Sequence, residues 1–166
     1  MRRRMLAAGL VALAMTAICF HGSIVRAQAV EQGSEKAAVD RAWRDYVEAF
    51  SRGDLSTVVQ HCNVPFVVIR PQDVRVLPTT ADVEKSYGAA LQNLKERGYS
   101  HSELLEVHVR LLGATVALVS SVFKRYKTDG SELATLGATY LLRKTDGGWK
   151  IAVVTGHPAK DVIRAD

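Results

Sequence analysis

Thr128-Asp129-Gly130-Ser131 and Asp146-Gly147-Gly148, the second running straight into Trp149-Lys150-Ile151, are the stretches whose reading decides the fold. Asp-Gly between alternating apolar runs favours the left-handed backbone that a tight antiparallel turn requires. Residues 104 to 155 therefore read as one antiparallel meander. Its first strand alternates Leu105, Val107, Val109 and Leu111 with Glu106, His108 and Arg110, one buried face against one polar face. The next, Val116 to Phe123, places apolar groups on both faces and so needs two covers. Helices can supply one. A second copy of the chain across a two-fold axis is the simplest source of the other.

Upstream the period changes from two to about 3.6. Val39, Ala42, Trp43, Tyr46, Val47 and Phe50 form one stripe of a helix that Ser34 can cap and Gly53 can end. Asp54 caps a shorter helix reaching about His61, with Cys62 placed beside it as a buried small hydrophobe, and Asn63 and Pro65 stop it. Phe66 to Ile69 and Val74 to Leu77, separated by Pro71-Gln72-Asp73, suggest a small hairpin. Thr79 or Thr80 then caps a third helix whose inner face is Val83, Tyr87, Ala90, Leu91 and Leu94.

The amino end reads differently. Arg2-Arg3-Arg4, the apolar run Met5 to Phe20 and Ala27-Gln28-Ala29 have the layout of a secretory signal peptide. The apolar run is shorter than the roughly 20 residues of a spanning helix, so no membrane association is expected once the leader is gone. The organisation expected is a leader over 1–29, a loose start over 30–34, one domain over 35–157 and a tail over 158–166, in a periplasmic or secreted protein. Of the 22 Lys and Arg residues against 17 Asp and Glu, the leader holds four arginines and no acid, which leaves the rest close to neutral. That is no footprint for nucleic acid. The cluster Lys124-Arg125-Tyr126-Lys127 reads as a solvated strand end. With Cys19 in the leader, Cys62 has no partner for an intramolecular disulfide. The histidines at 21, 61, 101, 108 and 157 lack ligand spacing, so neither a metal nor a cofactor is expected.

The order of helix, short helix, hairpin, helix and long antiparallel strands, with Ala49-Phe50-Ser51-Arg52-Gly53-Asp54-Leu55 and Gly147-Gly148-Trp149-Lys150-Ile151, resembles the nuclear-transport-factor-2-like, or SnoaL-like, superfamily over about residues 35 to 157. The resemblance implies an α+β fold in which a curved antiparallel sheet wraps round the N-terminal helices as a cone (a cystatin-like α+β roll), with a pocket at its mouth. It also implies a homodimer through the outer sheet face. Tyr46-Val47-Glu48-Ala49 is similar to the first helix of the steroid isomerases, where the tyrosine donates to the developing oxyanion. Their mechanism also needs an aspartate base on the first strand; Phe66 to Pro71 contains no carboxylate, and Arg70 stands in its place and cannot abstract a proton.

The candidate pocket is accordingly Trp43, Tyr46, Arg70, Tyr140 and His157. Trp43 and Tyr46 are expected to floor it with one polar handle each, or to be plain core. His157, in phase with Trp149, Ile151, Val153 and Thr155, is expected to point into the cone, where a histidine can transfer protons, or else to be a chain-end side chain held by a backbone bond. The function expected is non-enzymatic binding of a small apolar or amphipathic molecule, or of a partner protein. The alternative is an isomerase, dehydratase or hydrolase using His157 as base and Tyr46 as oxyanion donor.

Overall fold

The structure, a computed structural model, describes residues 14–164, with side chains from Val30 onward. The first thirteen residues of the expected leader lie outside it. No helix among the described residues is long and apolar enough to cross a membrane. Residues 36–164 belong to one compact unit, and residues up to Glu35 to another.

Helix α1 runs Ala14–Arg52, so it does not begin at Ser34, and residues 30–34 are helical, not loose. Nothing from Ala27 to Glu35 stops a helix: proline is absent, and Gly33 costs only about 1 kcal/mol. The Ser34 hydroxyl donates to the Glu31 carbonyl within the helix and caps nothing. The helix does end at Gly53, whose φ of 71° is the left-handed conformation expected of a C-terminal glycine. Val39, Trp43, Tyr46 and Ala49 are its buried stripe.

Asp54 caps α2 (Leu55–Gln60) by accepting from the Thr57 amide. Cys62 is the first residue of β1 (Cys62–Ile69), not part of a helix, because its turn is already closed by His61. Strand β1 pairs antiparallel with β2 (Val74–Leu77), joining Phe66 to Leu77 and Ile69 to Val74. Helix α3 (Thr80–Glu96) starts in a capping box: the Thr79 hydroxyl accepts from the Asp82 amide while the Asp82 carboxylate accepts from the Thr79 amide. Thr79→Ala removes one of these reciprocal bonds and is expected to lower stability by about 1 kcal/mol in urea unfolding. Val83, Tyr87 and Leu94 are buried and Leu91 half-buried; Ala90, expected inside, faces outward.

Four long strands complete the sheet: β3 (Tyr99–Leu111), β4 (Val116–Lys127), β5 (Glu132–Thr145) and β6 (Gly148–His157). The order across the single sheet is β2-β1-β6-β5-β4-β3, antiparallel throughout except for β1 beside β6. The sheet is curved and does not close. Its concave face carries Val109, Ala117, Val119, Phe123, Ala138, Tyr140, Leu142, Trp149 and Ile151, packed in one core with the α1 stripe, Phe66 and Tyr87.

Two irregularities correct the simple alternation. On β3, Leu104 pairs with Phe123 and Glu106 with Val122, so Leu105 is the extra residue of a bulge, and it is exposed instead of buried. On β6, Leu142 pairs with Ile151 and Leu141 with Val153, which leaves Ala152 unpaired. One extra residue moves everything beyond it to the opposite face.

The convex face of β4 is partly covered by the chain's own end. After the short 3-10 turn Ala159–Asp161, Val162 is buried and the Ile163 amide donates to the Ser120 hydroxyl at 3.0 Å. Arg164 pairs with Glu106, which also meets His108 Nε2 at 2.7 Å. The expected tail is thus an integral cover for part of the sheet.

Candidate functional site

The concave side is an aromatic cluster built from three elements. Helix α1 contributes Trp43, Tyr46 and Phe50, α3 contributes Tyr87, and β5 contributes Tyr140. Trp43 and Tyr46 each stand edge-on to Tyr140 with ring centres 5.9 Å apart, and Tyr46 meets Tyr87 the same way at 6.2 Å. The hydroxyls of Tyr46 and Tyr87 hydrogen-bond at 3.0 Å. Burial, then the phenols of Tyr87 and Tyr140, holds the Tyr46 hydroxyl well above its ordinary pKa; burial, then the neighbouring Cys62, does the same for Tyr87, and burial also raises that of Tyr140. The Cys62 thiol beneath them is pushed up to about 12 by burial. Groups held neutral in this way donate hydrogen bonds and pack; they do not exchange protons near neutrality.

These rings fill most of the cone. Between Tyr46, Phe50, Ser102, Phe123, Arg125 and Tyr140 lies a cavity of about 40 Å3. Small-molecule sites commonly enclose about 300–1,000 Å3. Next to it, sharing Phe50, lies a cleft of about 480 Å3 between the end of α1, α3 and the start of β3, lined by Ser51, Leu55, Lys95 and Tyr99 among others. The Ser51 hydroxyl fixes this mouth by accepting from the Ser102 amide and from the Tyr99 hydroxyl.

Arg125 is the charged residue lining the small cavity, not part of a solvated strand end as its basic neighbours suggest. Strand β4 continues to Lys127, so Arg125 falls in phase with the inward Val119, Ser121 and Phe123. Its guanidinium lies 5.7 Å from the centre of the Phe50 ring and 5.9 Å from that of Tyr99. Its Nε is buried with no hydrogen-bond partner. The period-two pattern of β4 carried this signal, hidden by the basic neighbours Lys124 and Lys127.

Three of the five expected pocket residues, Trp43, Tyr46 and Tyr140, come together here. Trp43 has no polar handle in use, since its Nε1 is buried without a partner. Arg70 is a correction: the hairpin pairing ends at Ile69 and Val74, so Arg70 is the first turn residue, exposed, with its Nε 3.9 Å from Asp73. His157 is the second correction. The extra Ala152 reverses the phase of β6, and His157 lies on the convex face, its Nε2 2.9 Å from the Thr139 hydroxyl and its Nδ1 2.9 Å from the Pro158 carbonyl. Thr139 in turn meets Ser120 at 2.8 Å. Imidazole and Tyr46 are therefore on opposite sides of the sheet, and the base-and-donor pair of the enzymatic alternative has no shared cavity. Among the described residues no group of three or more His, Cys, Asp and Glu side chains could hold a metal ion.

A family model described as NTF2-like protein (DUF6841) matches residues 34–159. Solved structures agree on the fold. A proposed dehydratase of the NTF2-like family from Streptomyces avermitilis is 20% identical, with 76% of this chain and 97% of that one covered and a TM-score of 0.62. A domain of unknown function with a cystatin-like fold from Nostoc punctiforme is 19% identical, covering 74% and 76%, at 0.61. A ketosteroid isomerase-like protein from Erwinia carotovora atroseptica is 22% identical, covering 74% and 94%, at 0.55. No curated protein matches the sequence. Identities this low speak for the fold, and function has to come from the site. With the family model spanning nearly the whole compact unit, the chain belongs to the NTF2-like protein (DUF6841) family.

Proposed function

We propose that this protein is an exported, non-enzymatic NTF2-like domain that binds a small amphipathic molecule at the mouth of its cone. The observation that carries the reading is the lining of the mouth: aromatic faces of Phe50 and Tyr99, the cationic side chains of Arg125, Arg52 and Lys95, and no carboxylate or imidazole positioned to move a proton. Binding needs only concave apolar surface with a few placed polar groups, whereas the acid–base chemistry of related folds needs a titratable pair. The leader motif supports export. The row Leu118, Leu141 and Val153, paired across β4, β5 and β6 on the convex face and each half-exposed, supports a homodimer through that face.

Thermal unfolding of the leader-free protein against a panel of small amphipathic acids, amines and neutral compounds tests the reading. A ligand at about 100 times its Kd stabilises by about 2.7 kcal/mol, which raises Tm by several degrees in a domain of this size. A panel in which no compound shifts Tm contradicts it.

A further inference from the structure

Arg125 is a cation without a counter-charge. Among the described residues no carboxylate pairs with it, and the like charge of Arg97 acts on it. Burial lowers its pKa, yet a guanidinium remains protonated at any physiological pH. Arg125 is partly withdrawn from water, and a protein normally offsets such a charge with an acid of its own. Here the guanidinium lies over the rings of Phe50 and Tyr99, and its buried Nε–H is left without an acceptor. The side chain borders the cavity of about 40 Å3, room for a head group but not for a whole ligand. The larger cleft beyond Phe50 has space for a body.

We propose that Arg125 is the receptor for the carboxylate of a small monocarboxylic acid whose flat apolar body lies against Phe50 and Tyr99. This rests on the reading of the cone mouth as a ligand site and names the class of ligand. The geometry suits a planar anion, because a guanidinium edge and a carboxylate form two parallel hydrogen bonds that a spherical ion cannot match. Arg125 is the cation lining this small cavity, and one guanidinium matches one carboxylate in shape and charge, which favours a monocarboxylate over a phosphate dianion there. Tyr46, Tyr140 and Ser102 border the same cavity with hydroxyl groups and contribute no competing acid.

The test is calorimetric titration of the leader-free protein with benzoate, with its neutral isostere benzamide, and with inorganic phosphate, in wild type, R125K and R125Q, circular dichroism confirming the fold of each. Charged hydrogen bonds of this kind correspond to a preference of about tenfold or more. Benzoate is therefore expected to bind at least about tenfold tighter than benzamide. R125Q is expected to remove that preference without weakening benzamide, and R125K to keep part of it. Equal affinity for benzoate and benzamide, or an unchanged preference in R125Q, overturns the assignment of Arg125 while leaving a ligand site in place. Phosphate displacing benzoate at equal concentration overturns the monocarboxylate class. Failure of both aromatic probes to bind wild type overturns the inference, and the broader panel then decides the underlying reading separately. Should R125Q not fold, the wild-type comparison and R125K decide.

Discussion

Trp43→Ala is expected to destabilise the protein by about 3–5 kcal/mol, a large share of the roughly 5–15 kcal/mol that holds a domain together. Trp43 has no exposed surface and stands edge-on to Tyr140 in the centre of the concave core. Truncation removes both its buried apolar area and the contacts of its neighbours, and a close-packed interior relaxes only partly into the space. One feature reduces the loss. The indole Nε1 is buried without a partner, so its desolvation penalty disappears along with the ring. Trp43→Phe separates the two contributions: it keeps an aromatic ring, discards the orphan donor, and is expected to cost far less than alanine. Urea unfolding of both variants gives the comparison, and a Trp43→Ala loss below about 1 kcal/mol contradicts the central packing role assigned to this residue.

Alkaline pH is expected to unfold the protein cooperatively. Tyr46, Tyr87, Tyr140 and Cys62 are all acids whose folded pKa lies above the value in the unfolded chain, with burial the largest cause in each. Near neutrality both states keep these protons, and the shifts have no effect on stability. Above the unfolded pKa values of about 8.5 for cysteine and 10 for tyrosine, the unfolded chain releases protons that the folded one retains. The unfolded state then binds fewer protons, so stability falls as pH rises. The urea midpoint should be flat up to about pH 8.5 and drop steeply beyond about pH 9–10. The ring-carbon shifts of Tyr46, Tyr87 and Tyr140 should report ionisation only as the fold is lost. Ionisation of these three in an intact fold contradicts their burial.

The order of elements was legible because it is encoded locally. Gly130 takes φ of 80° in its turn, and the Asp129 carboxylate accepts from the Ser131 amide, as Asp-Gly predicts. The α1 stripe and a threonine cap at 79 or 80 were readable from spacing and side-chain chemistry alone; the capping box at Thr79 and Asp82 decides between the two. Bulges were not. Leu105 and Ala152 are ordinary strand residues, and their unpaired positions arise from how a curved sheet matches register between neighbours. Because one extra residue reverses a face, His157 was read into the cone from a correct strand with an incorrect phase. Arg70 was misplaced for a related reason, since pairing with β2 decides where β1 ends. Arg125 was the opposite case. Its phase was visible along β4, but charge composition suggested a surface and outweighed periodicity.

Backbone amide shift mapping of the isotopically labelled, leader-free protein with a ligand from the panel locates the site directly. Perturbations clustered at Phe50, Ser51, Tyr99 to Ser102 and Arg125, with Ser120, Thr139 and His157 unmoved, are the predicted result. Perturbations centred on Ser120, Thr139 and His157 instead would place binding on the convex face and contradict a carboxylate-free, aromatic mouth as the working site.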